Sequence, residues 1–123
     1  MYKPDSDIQI IRAADEYDPP GEMQSEIRSA LSRLAQVWDR LKTSDNKENL
    51  KVRLTTQSLH FVQLIRADEL MLVAFYLSGK PGGDSPTLQL RGPQSAYFSE
   101  YAEQFGIMWR RGEPFDLSEI ENV

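Results

Sequence analysis

Residues 58–80, SLHFVQLIRADELMLVAFYLSGK, decide how this chain folds. Two runs within them, residues 59–67 and 70–77, are rich in Val, Phe, Tyr, Ile and Leu, as is typical of strands. Residues 68–69, Asp-Glu, predict a tight turn between the runs, and residues 78–83, SGKPGG, end the second one. The second run is almost wholly apolar, which indicates a strand covered on both faces. The stretch therefore predicts a central β-hairpin.

Three shorter segments predict further strands of the same sheet: residues 8–12, 50–56 and 86–91. Residues 50–56 alternate apolar and polar side chains, as a strand with one covered face does. Pro86 favours an edge position for the last segment, because proline has no backbone N–H to donate to a neighbouring strand.

Two segments repeat apolar residues at intervals of three and four, which gives a helix one apolar face: residues 22–42 and 94–110. The first lies between the predicted strands at 8–12 and 50–56. A strand, a helix and a second strand in that order imply a parallel pair joined by a right-handed crossover. Gly112 and Pro114 end the second helix.

The elements together predict an α+β (mixed α/β) fold, in which a mixed sheet of about five strands with a central hairpin is covered by two long helices. We expect Trp38 in the first helix, and Phe105 and Trp109 in the second, to be largely buried where these helices cover the sheet. We also expect a single domain over residues 1–123, with its core at about 8–112 and a loosely held acidic tail at 113–123. We expect this domain to be excised from a longer protein.

The composition excludes several kinds of protein. The 123 residues contain no cysteine, so a disulfide scaffold, a thiol nucleophile and a thiolate zinc site are excluded. No apolar run reaches the roughly 18 residues of a membrane span, and the N-terminus does not resemble a signal peptide. We therefore expect a cytoplasmic protein without a membrane span. The net charge of −5 disfavours direct binding to nucleic acids.

Common catalytic and cofactor motifs are absent. The chain has no G-x-G-x-x-G, P-loop, H-E-x-x-H or G-x-S-x-G sequence. His60 is its only histidine, so a metal site would need carboxylates from elsewhere, and we expect neither a metal nor another cofactor. Asp68 and Glu69 are adjacent carboxylates, but neighbouring residues of a hairpin point in opposite directions, which favours a solvated turn.

Five polar residues are candidates for a ligand site: Arg53, His60, Arg66, Ser78 and Lys80. Alternation along the first hairpin strand places His60 and Arg66 on one face. Arg53 lies on the polar face of the preceding strand, while Ser78 and Lys80 follow the second hairpin strand. If these strand ends converge, the five form a donor-rich pocket for a phosphate or carboxylate. The alternative is that they are scattered surface charges.

Several segments together resemble the phospholipase D-like family. They are residues 52–54 (VRL), 59–60 (LH), Asp68, residues 78–79 (SG) and residues 105–109 (FGIMW). The resemblance spans about residues 50–114. The chain is also similar to the degenerate domains of this type that are attached to helix-turn-helix regulators and other multidomain bacterial proteins.

The chain departs from that family at its catalytic motif, H-x-K-x4-D, in which histidine is the nucleophile for phosphoryl transfer and lysine holds the phosphate. Aligned on His60, the motif requires lysine at Val62 and aspartate at Ala67, and neither is present, although Asp68 is one place further on. Phosphoryl transfer depends on fixed positive charge around the phosphoryl oxygens. The resemblance therefore implies a domain that has lost catalysis.

The leading hypothesis from the sequence is a non-catalytic sensor or interaction domain of a larger bacterial regulatory protein, which binds a small anionic ligand. The resemblance implies a homodimer that pairs through a sheet edge and the final helix, and the many aromatic residues of that helix favour an interface as well. One alternative is a residual phosphodiesterase or nuclease that uses His60 and Asp68. Another is an assembly module without a small-molecule ligand.

Overall fold

The computed structural model describes residues 1–16, 18–41, 43, 46–56, 60 and 62–122. Its helices are α1 (Asp7–Asp15), α2 (Glu22–Leu41) and α3 (Ala96–Arg111), with short 3-10 turns at Lys47–Asn49, Gly82–Asp84 and Leu117–Asn122. Its strands are β1 (Val52–Leu54), β2 (Val62–Ala67), β3 (Leu70–Phe75), β4 (Thr87–Arg91) and β5 (Glu113–Phe115). The predicted α+β class is confirmed. None of the helices in these parts of the chain is both long and apolar enough to cross a membrane.

The predicted central hairpin is formed by β2 and β3, and β4 completes an antiparallel sheet in the order β2-β3-β4. Asp68 adopts a φ of 51° in the turn, a left-handed conformation that aspartate tolerates better than most residues. Helix α3 packs on this sheet through Phe98, which is buried together with Met71 and Val73. Ser95 caps the helix by accepting a hydrogen bond from the Phe98 N–H at 3.1 Å.

A second sheet consists of β1 and β5, which are antiparallel. It packs against α2 in a separate core around Ile27, Leu31 and Leu54. Residues 1–3 lie beside β1, where Lys3 N–H donates to Thr55 O and Thr55 N–H donates to Met1 O, both at 2.9 Å. Tyr2 and Thr55 form a parallel bridge there.

The prediction of one sheet of about five strands covered by two long helices is wrong, because residues 8–12 belong to α1 and are not a strand. The inner face of α1 is largely polar, with Gln9, Arg12 and Ala13 buried, while Ile10 and Ile11 are 57% and 54% exposed. Because residues 8–12 are not a strand, the predicted parallel crossover from them to β1 does not form. The strands divide into two small sheets.

The predicted loose tail at 113–123 also differs from the structure. Residues 113–115 form β5 on β1, Leu117 is buried, and Ile120 packs against the core of α2. Apolar contacts therefore hold the start of this segment in place, and the core extends beyond the predicted limit at residue 112.

The predicted burial of three aromatic side chains is only partly found. Trp38 and Trp109 are partly buried, but Phe105 is 50% exposed, whereas Phe98 is 2% exposed. Seven residues are almost two full helical turns, so Phe98 and Phe105 lie on the same face of α3. The N-terminal half of α3 covers the three-stranded sheet, and its C-terminal half extends beyond it.

Candidate functional site

A cavity of about 380 Å³ lies between β1 and β2, bounded by the C-terminal half of α3. We call it the inter-sheet cavity. Most of its lining side chains are apolar: Met1, Leu34, Val52, Val62, Leu64, Phe105, Met108 and Trp109. Phe105 lies on the packing face of α3 but remains half exposed, because its side chain borders this cavity.

The charged residues that line the inter-sheet cavity are both basic. They are Lys51 and Arg53, and no acidic residue lines it among the described residues, although the chain carries a net charge of −5. The polar side chains of Thr55, His60, Gln63 and Tyr76 complete the lining. The local charge of the cavity is therefore opposite to that of the chain.

Arg53 connects β1 to the end of α3. Its Nη1 donates to Gly112 O at 2.9 Å and to Trp109 O at 3.3 Å, and its guanidinium lies 5.2 Å from the centroid of the Trp109 ring. The last carbonyls of a helix lack partners within the helix, so these hydrogen bonds stabilise its C-terminus. A Cβ atom at Gly112 would lie 2.9 Å from Arg53 Cβ, so glycine permits this close approach. None of the ion pairs between described residues involves Arg53.

His60 is held at the cavity wall by Tyr2. The His60 backbone N–H donates to Tyr2 Oη at 2.8 Å, and the two ring centroids are 5.0 Å apart. Burial lowers the pKa of His60 below its usual 6.5, and the positive charge of the amino terminus lowers that pKa further. The neutral imidazole is therefore favoured near neutral pH.

We expect His60→Gln to reduce the loss of stability that follows mild acidification. Because the pKa of His60 is lowered by folding, the unfolded chain binds its proton more readily, and stability is lost as the pH falls from above about 6.5 through the lowered pKa. Urea unfolding at pH 7.5 and 5.5 should show a larger loss for the wild type than for the variant. Equal losses would show that His60 makes no contribution to this dependence.

The other three predicted site residues lie outside the inter-sheet cavity. Arg66 is exposed, with its Nε donating to Asp68 O at 3.4 Å and its guanidinium 5.2 Å from the Phe98 ring centroid. Ser78 and Lys80 are exposed in the loop after β3, where Gly79 N–H donates to Asp15 O at 3.1 Å. Only Arg53 and His60 are brought together, because Arg66 lies near the far end of β2 and the loop after β3 packs toward α1.

His60 and Asp68 lie beyond opposite ends of β2. At about 3.3 Å per residue, the five steps from Val62 to Ala67 alone span roughly 16 Å. A nucleophile and its acid–base partner must lie within hydrogen-bonding reach of the same reacting group. The two side chains of one chain are therefore too far apart for the modified catalytic motif.

A second cavity of about 390 Å³ adjoins the first and shares Met1, His60, Gln63 and Tyr76 with it. Its wall includes Arg12, Glu16 and Tyr76. These three residues and Asp15, which contacts Arg12, form a group that we call the Arg12 cluster. Arg12 Nη2 lies 2.7 Å from Glu16 Oε1, Nη1 donates to Asp15 Oδ2 at 3.3 Å, and the guanidinium lies 4.1 Å from the Tyr76 ring centroid. Burial raises the pKa of Glu16, although the nearby Arg12 charge acts to lower it.

Sequence reasoning missed the Arg12 cluster and most of the cavity lining. The predicted strand at residues 8–12 includes Arg12, and a strand gives no reason to expect the contact of Arg12 with Glu16 one helical turn later. Lys51 shares the polar face of its strand with Arg53, so its place beside Arg53 could have been inferred from alternation. Within the described parts of the chain, no group of three or more histidine and acidic side chains is arranged to hold a metal ion.

Comparison with protein-family models, curated proteins and solved structures found no match to this chain. The phospholipase D-like resemblance therefore stays a prediction from the sequence.

Proposed function

We propose that this chain is a non-catalytic sensor or interaction domain of a larger regulatory protein, and that it binds an apolar, negatively charged group in the inter-sheet cavity. The observation that carries the proposal is the lining of this cavity, whose charges are basic in an otherwise acidic chain. Its volume falls within the range of about 300–1,000 Å³ that is usual for ligand pockets.

The contacts around the cavity favour such an occupant. Phe105 and Met108 offer apolar surface that packing leaves partly uncovered, and burial of such surface on binding is favourable. Lys51 is exposed at the wall, and Arg53 forms no ion pair with a carboxylate among the described residues. Both can attract an anionic group without first breaking an ion pair between described residues.

The enzyme alternative has less support. Val62 and Ala67 stand where the phosphodiesterase motif requires lysine and aspartate. The two residues that could still act, His60 and Asp68, lie too far apart to reach the same reacting group.

The homodimer stays part of the proposal, supported by the exposed aromatic rings of Tyr97 and Phe105 on α3.

The test uses 1-anilinonaphthalene-8-sulfonate, an apolar aromatic anion whose fluorescence rises when water is excluded. We expect saturable binding to the wild-type chain, about 3- to 10-fold weaker binding to Lys51→Glu, and unchanged binding to Lys80→Glu. The two variants change the charge equally, but only Lys51 lines the cavity. Cooperative urea unfolding of each variant would exclude the non-specific binding of this dye to loosely packed states.

Absence of saturable binding would contradict the proposal, and equal weakening by both lysine variants would show that the dye responds only to net charge. In either case the assembly module without a ligand would be the better hypothesis.

A further inference from the structure

Strand edges border the inter-sheet cavity. Residues 51–53 and 62–64 all line it, three consecutive residues from each side. Consecutive side chains of a strand point to opposite faces, so a surface that contacts all three contacts the edge of the strand. The cavity therefore lies in the gap between an edge of β1 and an edge of β2.

The hydrogen bonds of β3 show which backbone groups of β2 face this gap. Phe75 N–H donates to Pro86 O and Gly92 N–H donates to Glu69 O, so the odd-numbered residues of β3 direct their backbone groups to β4. Its even-numbered residues then pair with their partners on β2: Gln63, Ile65 and Ala67.

The remaining residues of β2 direct their N–H and C=O groups away from β3: Val62, Leu64 and Arg66. Since β2 is the outer strand of its sheet, these groups form an edge without a neighbouring strand in the described parts of the chain. Such an edge is a ready template for another extended segment.

On the opposite side of the gap, the end of β1 is already paired with the backbone of residues 1–3, which form an isolated parallel bridge there. Residues 1–3 pair with Thr55 through two backbone hydrogen bonds of 2.9 Å, and the Met1 amino group lies 3.3 Å from Arg53 O. The edge of β1 therefore has the geometry that strand addition requires.

The position of α3 fits an additional strand in the gap. Phe98 is buried against β3, while Phe105, two turns later on the same face, is 50% exposed beside the cavity. A strand placed along β2 would lie beneath Phe105 as β3 lies beneath Phe98.

We propose that the natural occupant of the inter-sheet cavity is an extended peptide segment that adds a strand to the edge of β2, with apolar side chains toward Phe105 and acidic side chains toward Lys51 and Arg53. This inference rests on the proposed function and names the class of its ligand. Backbone hydrogen bonds to Val62, Leu64 and Arg66 supply the register, and the apolar wall and basic charges supply the preference for side chains.

The test uses the full chain labelled with ¹⁵N and the peptide acetyl-Glu-Val-Glu-Val-Glu-Val-Glu-amide. We expect hydrogen exchange of the Val62, Leu64 and Arg66 amides to slow at least tenfold at saturation, while the Gln63 and Ile65 amides, already paired with β3, do not change. A matched peptide with N-methylated valines keeps the side chains but lacks alternate N–H donors. We expect it to bind at least tenfold more weakly.

Each other result would overturn the inference. Equal affinity of the two peptides would mean that side chains alone are recognised, and slowed exchange without the alternating pattern would mean that no strand is added. If the anilinonaphthalene sulfonate binds but the peptide does not bind at millimolar concentration, the site takes small molecules only and the proposed function stands. If the dye does not bind, the proposed function itself fails.

Discussion

Phe98→Ala is expected to lower the free energy of unfolding by about 3–5 kcal/mol, the usual cost of truncating a buried phenylalanine. Phe98 is 2% exposed and packs with Met71 and Val73 beneath α3. Phe105→Ala, in the same helix and on the same face, is expected to cost no more than about 1.5 kcal/mol, because half of that side chain remains in solvent. Urea unfolding of both variants at one pH measures the difference.

The matched pair tests whether α3 is packed along only half its length. Both substitutions replace phenylalanine by alanine within α3, so most of the change in helix propensity cancels in the comparison. Similar costs for the two variants would mean that the C-terminal half of α3 is packed as tightly as its N-terminal half. In that case the inter-sheet cavity would be closed in solution.

Local patterns predicted the elements whose signals are local. The hairpin of β2 and β3 followed from two apolar runs around Asp68 and Glu69, and α2 and α3 followed from apolar spacing. Helix α1 could not be predicted in this way, because the polar residues Gln9 and Arg12 face inward while Ile10 and Ile11 face solvent. An apolar pair that faces solvent contradicts the assumption on which such patterns rest.

The pairing of strands from distant parts of the chain was the second feature that local sequence patterns did not predict. Residues 113–115, EPF, carry no strong strand signal, yet they pair with β1 fifty-nine to sixty-three residues earlier, as the register of Val52 with Phe115 and of Leu54 with Glu113 shows. Once β5 occupies one edge of β1 and residues 1–3 lie along the other, β1 does not join β2. The inter-sheet cavity lies where β1 and β2 do not pair.

The candidate site was predictable where it depends on single strands. Alternation placed Arg53 on the polar face of its strand and His60 on one face of the first hairpin strand, and both line the inter-sheet cavity. The convergence of Ser78 and Lys80 with them depended on how the loop after β3 packs. That loop contacts α1 through Asp15, in a helix that the sequence did not predict.

Arg12→Met is expected to lower the free energy of unfolding by about 3–5 kcal/mol at pH 7, because removal of one partner from a buried ion pair leaves the other charge uncompensated. The side chains of Arg12 and Glu16 are 5% and 10% exposed. Arg28→Met provides the control, since the Arg28 and Asp5 side chains are 48% and 58% exposed and an exposed pair contributes at most about 1 kcal/mol. Urea unfolding of the two variants separates the buried pair from the exposed one.

Acidification should reduce the cost of Arg12→Met. Folding raises the pKa of Glu16, so its contribution to stability is fully present below about 4.5 and is lost as the pH rises through the raised pKa. Without Arg12, which acts to lower that pKa, the pKa of Glu16 rises further and the unpaired carboxylate takes up a proton more readily. The cost of the substitution should therefore be smaller at pH 5 than at pH 7, and Arg12→Met combined with Glu16→Gln should recover much of the loss at pH 7. A cost that does not change with pH, together with no recovery in the double variant, would show that Arg12 stabilises the chain through its packing on Tyr76 and not through its charge.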